Sequence, residues 1–206
     1  MSIIKLNNNG VKNATAFGSI TGLGSMTFIK KLTASGSSTL SFVDGASGVV
    51  LDNTYKEYLF TFKNIHAATD NVEFQFNVSI DGGSNYNVAK TTTYFRTYNY
   101  EDGSDAALGY RTPRDLAQGT GFQALTEGQG NGNDESCSGQ LTIFNPSDTT
   151  FTKHFIARNS MYGRTDYEMD IYVAGYANNT SAVDAVQFKM SSGNIDSGDI
   201  CLYGIA

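Results

Sequence analysis

The sequence of 206 residues contains no tryptophan, two prolines, two cysteines and two histidines, and only 17% of it is charged. Two cysteines, Cys137 and Cys201, cannot build a disulfide framework, nor by themselves a four-ligand zinc site. They are not spaced as C-x-x-C, and free thiols are expected. No apolar run approaches the roughly 18 residues of a membrane-spanning helix, so no membrane partner is expected. The opening stretch MSIIKLNNNGVKN lacks a long apolar region, and no secretory signal is expected from it. At 40% hydrophobic and 12% aromatic, the chain is too apolar and too weakly charged to stay disordered. Its length suits one domain, or one domain with an arm.

Catalytic signatures are also missing. A nucleophile needs a base held by an orienting carboxylate, and neither a G-x-S-x-G elbow nor a Cys–His signature is present. His66 falls at a strand end and His154 within a strand, and both read as packing or surface residues. Two histidines fall short of a three-ligand metal site. Asp166, Glu168 and Asp170 alternate along one strand face, where neighbours stand roughly 6–7 Å apart. That pattern reads as a solvated face that pairs with Lys or Arg and discourages edge-to-edge aggregation, rather than as a cation site. Asp134 and Glu135, with Asn131 and Asn133, lack EF-hand spacing. No enzyme activity, metal or cofactor is expected.

Charge is unevenly placed. The net charge is −6, yet Lys5, Lys12, Lys30 and Lys31 all precede the first acidic residue, Asp44. Such asymmetry marks a segment with its own partner. Four spread lysines without arginine make no nucleic-acid footprint, and no nucleic acid is expected. Residues 1–35 open with Asn7-Asn8-Asn9-Gly10, a turn signal, and hold sparse apolar residues without helical or strand periodicity. Alone they cannot bury enough surface to offset the entropy of ordering. They are expected to act as an arm for assembly, with Lys5, Lys12, Phe17, Lys30 and Lys31 making the contacts.

Residues 36–206 read as a string of strands. In 72–80, Val72, Phe74, Phe76, Val78 and Ile80 share one face and Glu73, Gln75, Asn77 and Ser79 the other. This period of two belongs to a half-buried antiparallel strand. Further strands are expected at 57–64, 88–98, 139–145, 167–175, 185–190 and 200–205. Another is expected at 151–158, with Phe151, Phe155 and Ala157 on one face, and 26–32 with 39–42 reads as a first pair. Helical signal is limited to single turns at 106–108 and 114–118. The expected fold is all-β, an antiparallel two-sheet sandwich, jelly-roll-like, with an extended N-terminal arm.

Two Gly/Asn/Asp-rich stretches, 99–121 and 127–138, interrupt the strands and read as binding loops or as simply mobile ones. Tyr98, Tyr100 and Tyr110 lie in or beside the first and are candidates for stacking on a sugar. Residues 79–86, SIDGGSNY, match S-x-D-x-G-x-x-aromatic. The pattern resembles the Asp-box hairpin, a turn device in which the aspartate caps backbone N–H groups.

The stretches MTFIKKLTAS (26–35), YLFTFKNIH (58–66), SIDGGSNYN (79–87), FNPS (144–147), KHFIAR (153–158) and 188–205 together resemble structural proteins of marine tailed phages, especially those of cyanobacteria. The resemblance runs along nearly the whole chain and brings no catalytic residues with it. It implies a virion protein on capsid or tail, with other virion proteins as partners. A homotrimer is expected, fixed through the arm by added main-chain hydrogen bonds or by coupled ordering. The alternative is a tail-fibre module that recognises a host-surface glycan.

Overall fold

The computed structural model describes residues 26–206, so the arm positions Lys5, Lys12 and Phe17 lie outside the described residues. Twelve strands follow in order: β1 Met26–Ser37, β2 Leu40–Val43, β3 Glu57–Ala67, β4 Phe74–Ser79, β5 Lys90–Tyr100, β6 Ala106–Tyr110, β7 Gln123–Ala124, β8 Cys137–Phe144, β9 Lys153–Gly163, β10 Tyr167–Ala177, β11 Ala185–Met190 and β12 Ile195–Ile205. A short 3-10 turn, Thr112–Arg114, follows β6. The strands form an eight-stranded sheet, β1-β12-β3-β8-β9-β10-β5-β6, and a four-stranded sheet, β2-β11-β4-β7. Neighbours in both sheets are antiparallel, so the chain is the expected two-sheet sandwich.

Alternation explains the faces. In β3, Tyr58, Phe60 and Phe62 are buried, and in β4 so are Phe74, Phe76 and Val78. Phe188 of β11 sits at the centre of the core, its ring 5.3 Å from those of Phe60 and Phe62 and stacked at 5.7 Å on Phe74. Phe76 meets Phe155 of β9 edge-on at 5.0 Å. The small sheet therefore packs on β3 and β9. Beyond β9, the segment after β6 runs along β5, and the segment after β7 reaches β9. Arg111 N donates to Tyr94 O, Leu116 N to Thr92 Oγ1, and Asn159 Nδ2 to Leu125 O.

The structure departs from the sequence reading at several places, and the one short helical turn falls at Thr112–Arg114 rather than at 114–118. Residues 26–32 and 39–42 do not pair with each other; β1 joins β12 in the large sheet and β2 joins β11 in the small one. Residues 26–35, counted with the arm, thus lie in an edge strand of the body. Asn77 and Ser79, on the face of β4 expected to meet water, are buried because loop carbonyls cover them. Asn77 Nδ2 donates to Tyr86 O, Thr120 O and Gly121 O, and Ser79 Oγ donates to Asp81. Residues 106–108 form β6 rather than a helical turn, since they ladder onto β5. Phe151 stands outside β9 and is 71% exposed, because the turn at Asp148 takes up its N–H.

The Asp-box match has the geometry its chemistry requires. Asp81 accepts from Asn85 N at 2.9 Å, and Gly82 and Gly83 take φ of 70° and 79°.

Candidate functional site

A cleft of about 260 Å³ opens on the inner face of the large sheet where the small sheet no longer covers it. Period-two alternation puts Tyr94, Arg96, Tyr98 and Tyr100 on one side of β5. Antiparallel register sets them against β10, with Tyr100 opposite Tyr167, Tyr98 opposite Met169 and Arg96 opposite Ile171. Arg114 reaches the cleft from the 3-10 turn, Glu127 and Gly128 from the loop after β7, and Arg164 from the β9–β10 turn.

Glu127 is the hinge of the electrostatics. Its side chain is 7% exposed and meets three guanidinium groups. Arg96 lies 3.1 Å away, Arg111 forms a two-pronged pair with both carboxylate oxygens, and Arg114 Nε lies at 3.4 Å. Arg114 also reaches Glu73 at 2.7 Å. A carboxylate this buried persists only when its charge is paired and hydrogen-bonded. The same contact raises the Arg111 pKa, chiefly through its hydrogen bonds to Glu127. Burial pushes the Tyr94 hydroxyl far up, the Glu127 charge adding to it, and among the described residues this hydroxyl has no hydrogen-bond partner.

Three tyrosine rings form the apolar wall. Tyr98 and Tyr100 meet edge-on at 5.9 Å, and Tyr100 lies 5.3 Å from Tyr167. Arg96 sits over the Tyr98 ring at 5.1 Å, a cation–π contact. The Tyr98 hydroxyl donates to Asp105 at 2.7 Å, a bond that raises its pKa, and the Tyr167 hydroxyl donates to Gly128 O at 3.2 Å. At Gly163, which pairs with Tyr167, an added Cβ would fall 2.1 Å from the Tyr167 ring. Glycine there is what lets the ring lie flat across the strand pair.

Of the tyrosines singled out from sequence, Tyr98 and Tyr100 line this cleft and Tyr110 does not. Tyr110 pairs with Phe95 across β5–β6, is 53% exposed and donates to Asp115. Sequence reasoning missed Arg96, Arg114, Glu127, Arg164 and Tyr167. Arg96 was findable, because the alternation that exposes Tyr98 and Tyr100 together puts it on the same face.

The other candidates resolve into structural roles. Lys31 pairs with Asp199 at 3.2 Å and Lys30 Nζ donates to Ser47 O, so both assembly lysines that the structure describes are engaged within the chain. Asp170 pairs with Arg158 at 2.7 Å, and that contact lowers its pKa. Burial raises the pKa of Glu168, which accepts from Ser160. Asp166 sits in the turn before β10 and accepts from Tyr162. Glu135 folds back onto the N–H of Gly132. His66 bridges Gly132 O, at 2.9 Å, and Asp196, at 3.2 Å. His154 packs beside Tyr176. Cys137 and Cys201 are free thiols, the first buried. Among the described residues, no group of three His, Cys, Asp or Glu side chains gathers as a metal site would require.

Comparison with known proteins finds no matching family model, no matching curated protein and no matching solved structure.

Proposed function

We propose that this chain is a non-enzymatic structural protein of a phage virion, seated on the capsid or tail through the segment that precedes Met26. One observation carries the reading. Residues 26–206 close both sheets and the core, and they begin on β1, the edge strand of the large sheet. A body with a shared core that begins on a sheet edge suits attachment by strand addition or coupled ordering on a neighbour. Met26 and Phe28, 52% and 57% exposed, mark the point of departure with apolar surface. The partners are other virion proteins, with the body assembled as a homotrimer. Deletion of residues 1–25 tests this. The truncated body is expected to remain folded but to be absent from assembled particles, measured by mass spectrometry of purified virions. Incorporation at full occupancy overturns the reading.

A second reading is favoured by the cleft: a receptor module that recognises a host-surface glycan. The half-buried Tyr98 and Tyr100 line a recess beside fixed hydrogen-bond donors, a combination that saccharide sites use. An array of host surface polysaccharides is expected to show binding that Tyr100→Ala removes. Uniformly blank spots with the folded wild-type chain rule this reading out.

A further inference from the structure

We infer that the cleft between β5, β10 and the Glu127 loop selects a carboxylated sugar, a single hexuronic-acid-type residue. This inference rests on the glycan-recognition reading and names its ligand class. Three of the charged side chains lining the cleft are arginines, Arg96, Arg114 and Arg164, against one carboxylate, Glu127. Glu127 is already spoken for, since both its oxygens are held by guanidinium groups from Arg96, Arg111 and Arg114. Arg164 is exposed and makes no ion pair among the described residues. Arg114 is shared with Glu73 as well, so the surplus positive charge and the unpaired donors that point to an anion come from Arg164.

Size and shape narrow the anion. About 260 Å³ is below the roughly 300–1,000 Å³ of pockets for drug-sized ligands, so the recess itself seats one ring. The exposed lining is mostly polar, with a small apolar patch from the tyrosine rings, which suits a hydroxyl-rich ring. Guanidinium forks match planar carboxylates in two-pronged geometry, and Arg111 with Glu127 shows that match in place a few ångströms away. Glu127 and its arginines hold the floor rigid, so a ligand carboxylate meets donors that are already oriented.

The test is titration calorimetry on the full chain with methyl glucuronide, methyl galacturonide, methyl glucoside and glucose 6-sulfate. A uronide is expected to bind at least about tenfold more tightly than the neutral glucoside, the worth of one hydrogen bond to a charged group. Its affinity is expected to fall as salt rises from about 50 to about 500 mM, because the cleft is open to solvent. Arg164→Gln is expected to remove most of the preference while leaving the melting temperature unchanged, since Arg164 lies outside the Glu127 network. Equal binding of glucoside and uronide, lost in Tyr100→Ala, overturns the inference and leaves glycan recognition standing. Tighter binding of the sulfate overturns the carboxylate assignment. If no sugar binds at tens of millimolar while the chain is folded, both the inference and the reading beneath it fall.

Discussion

Lys90 is a fully buried lysine with no carboxylate paired to it among the described residues. Its Nζ donates to Asn77 Oδ1 at 2.5 Å and to Val88 O at 2.8 Å, and burial pushes its pKa down to about 7 from the ordinary 10.5. The folded state thus releases the proton near neutrality while the unfolded chain keeps it until about pH 10. Between those values the unfolded state binds more protons, so stability rises with pH, by up to about 1.4 kcal/mol per pH unit from this group. Below pH 7 both states carry the proton and the cost of burying the charge is constant. Lys90→Met is expected to flatten the rise of the urea midpoint between pH 7 and 10. A wild-type slope that persists in the variant assigns it elsewhere. Nothing in the sequence marked Lys90, because a lysine at the start of a Thr-rich strand reads as a solvated side chain. Its burial depends on Asn77, which loop carbonyls pull inward from another strand.

At the level of elements, β11 ties the core together. Phe188 lies against Phe42, Phe60, Phe62, Phe74 and Phe76, rings drawn from β2, β3 and β4. Phe188→Ala is expected to cost about 3–5 kcal/mol, read as a lowered urea midpoint with an unchanged slope, because rings from both sheets would line the cavity. The strand at 185–190 was legible from its residue types, and the faces of β3 and β10 were legible from period two. Sheet membership was not. β1 and β2 are joined by only Ser38 and Thr39 yet enter different layers, and pairing β1 with β12 is a contact across almost the whole described chain. β6 escaped notice because Ala106, Ala107 and Leu108 have helical composition. Its exposed residues become a strand only through their ladder to β5.

On the scale of the whole molecule, the inequality of the two sheets creates the cleft. Eight strands cannot be covered by four, and the inner face left over at β10 and β5 is floored by an ion network instead of a second layer. Only the Tyr98–Tyr100 part of the site was visible in advance. Tyr98 and Tyr100 follow from one strand's alternation, whereas Arg114, Glu127 and Arg164 come from three separate connections. Their convergence depends on how far the small sheet extends. The same architecture gives the truncation its second readout: without residues 1–25 the body is expected to melt in one cooperative transition, as its single shared core requires.

Met26 stands directly opposite Ile205 on the β1–β12 ladder, so the first and last strands run side by side in opposite directions at one corner. The hydrogen bonds of such a ladder lie across the strands. Tension applied between these two points opens them in succession, like a zipper, instead of loading them all in shear. The ladder therefore resists a pull between Met26 and Ile205 less than it resists a pull along its strands.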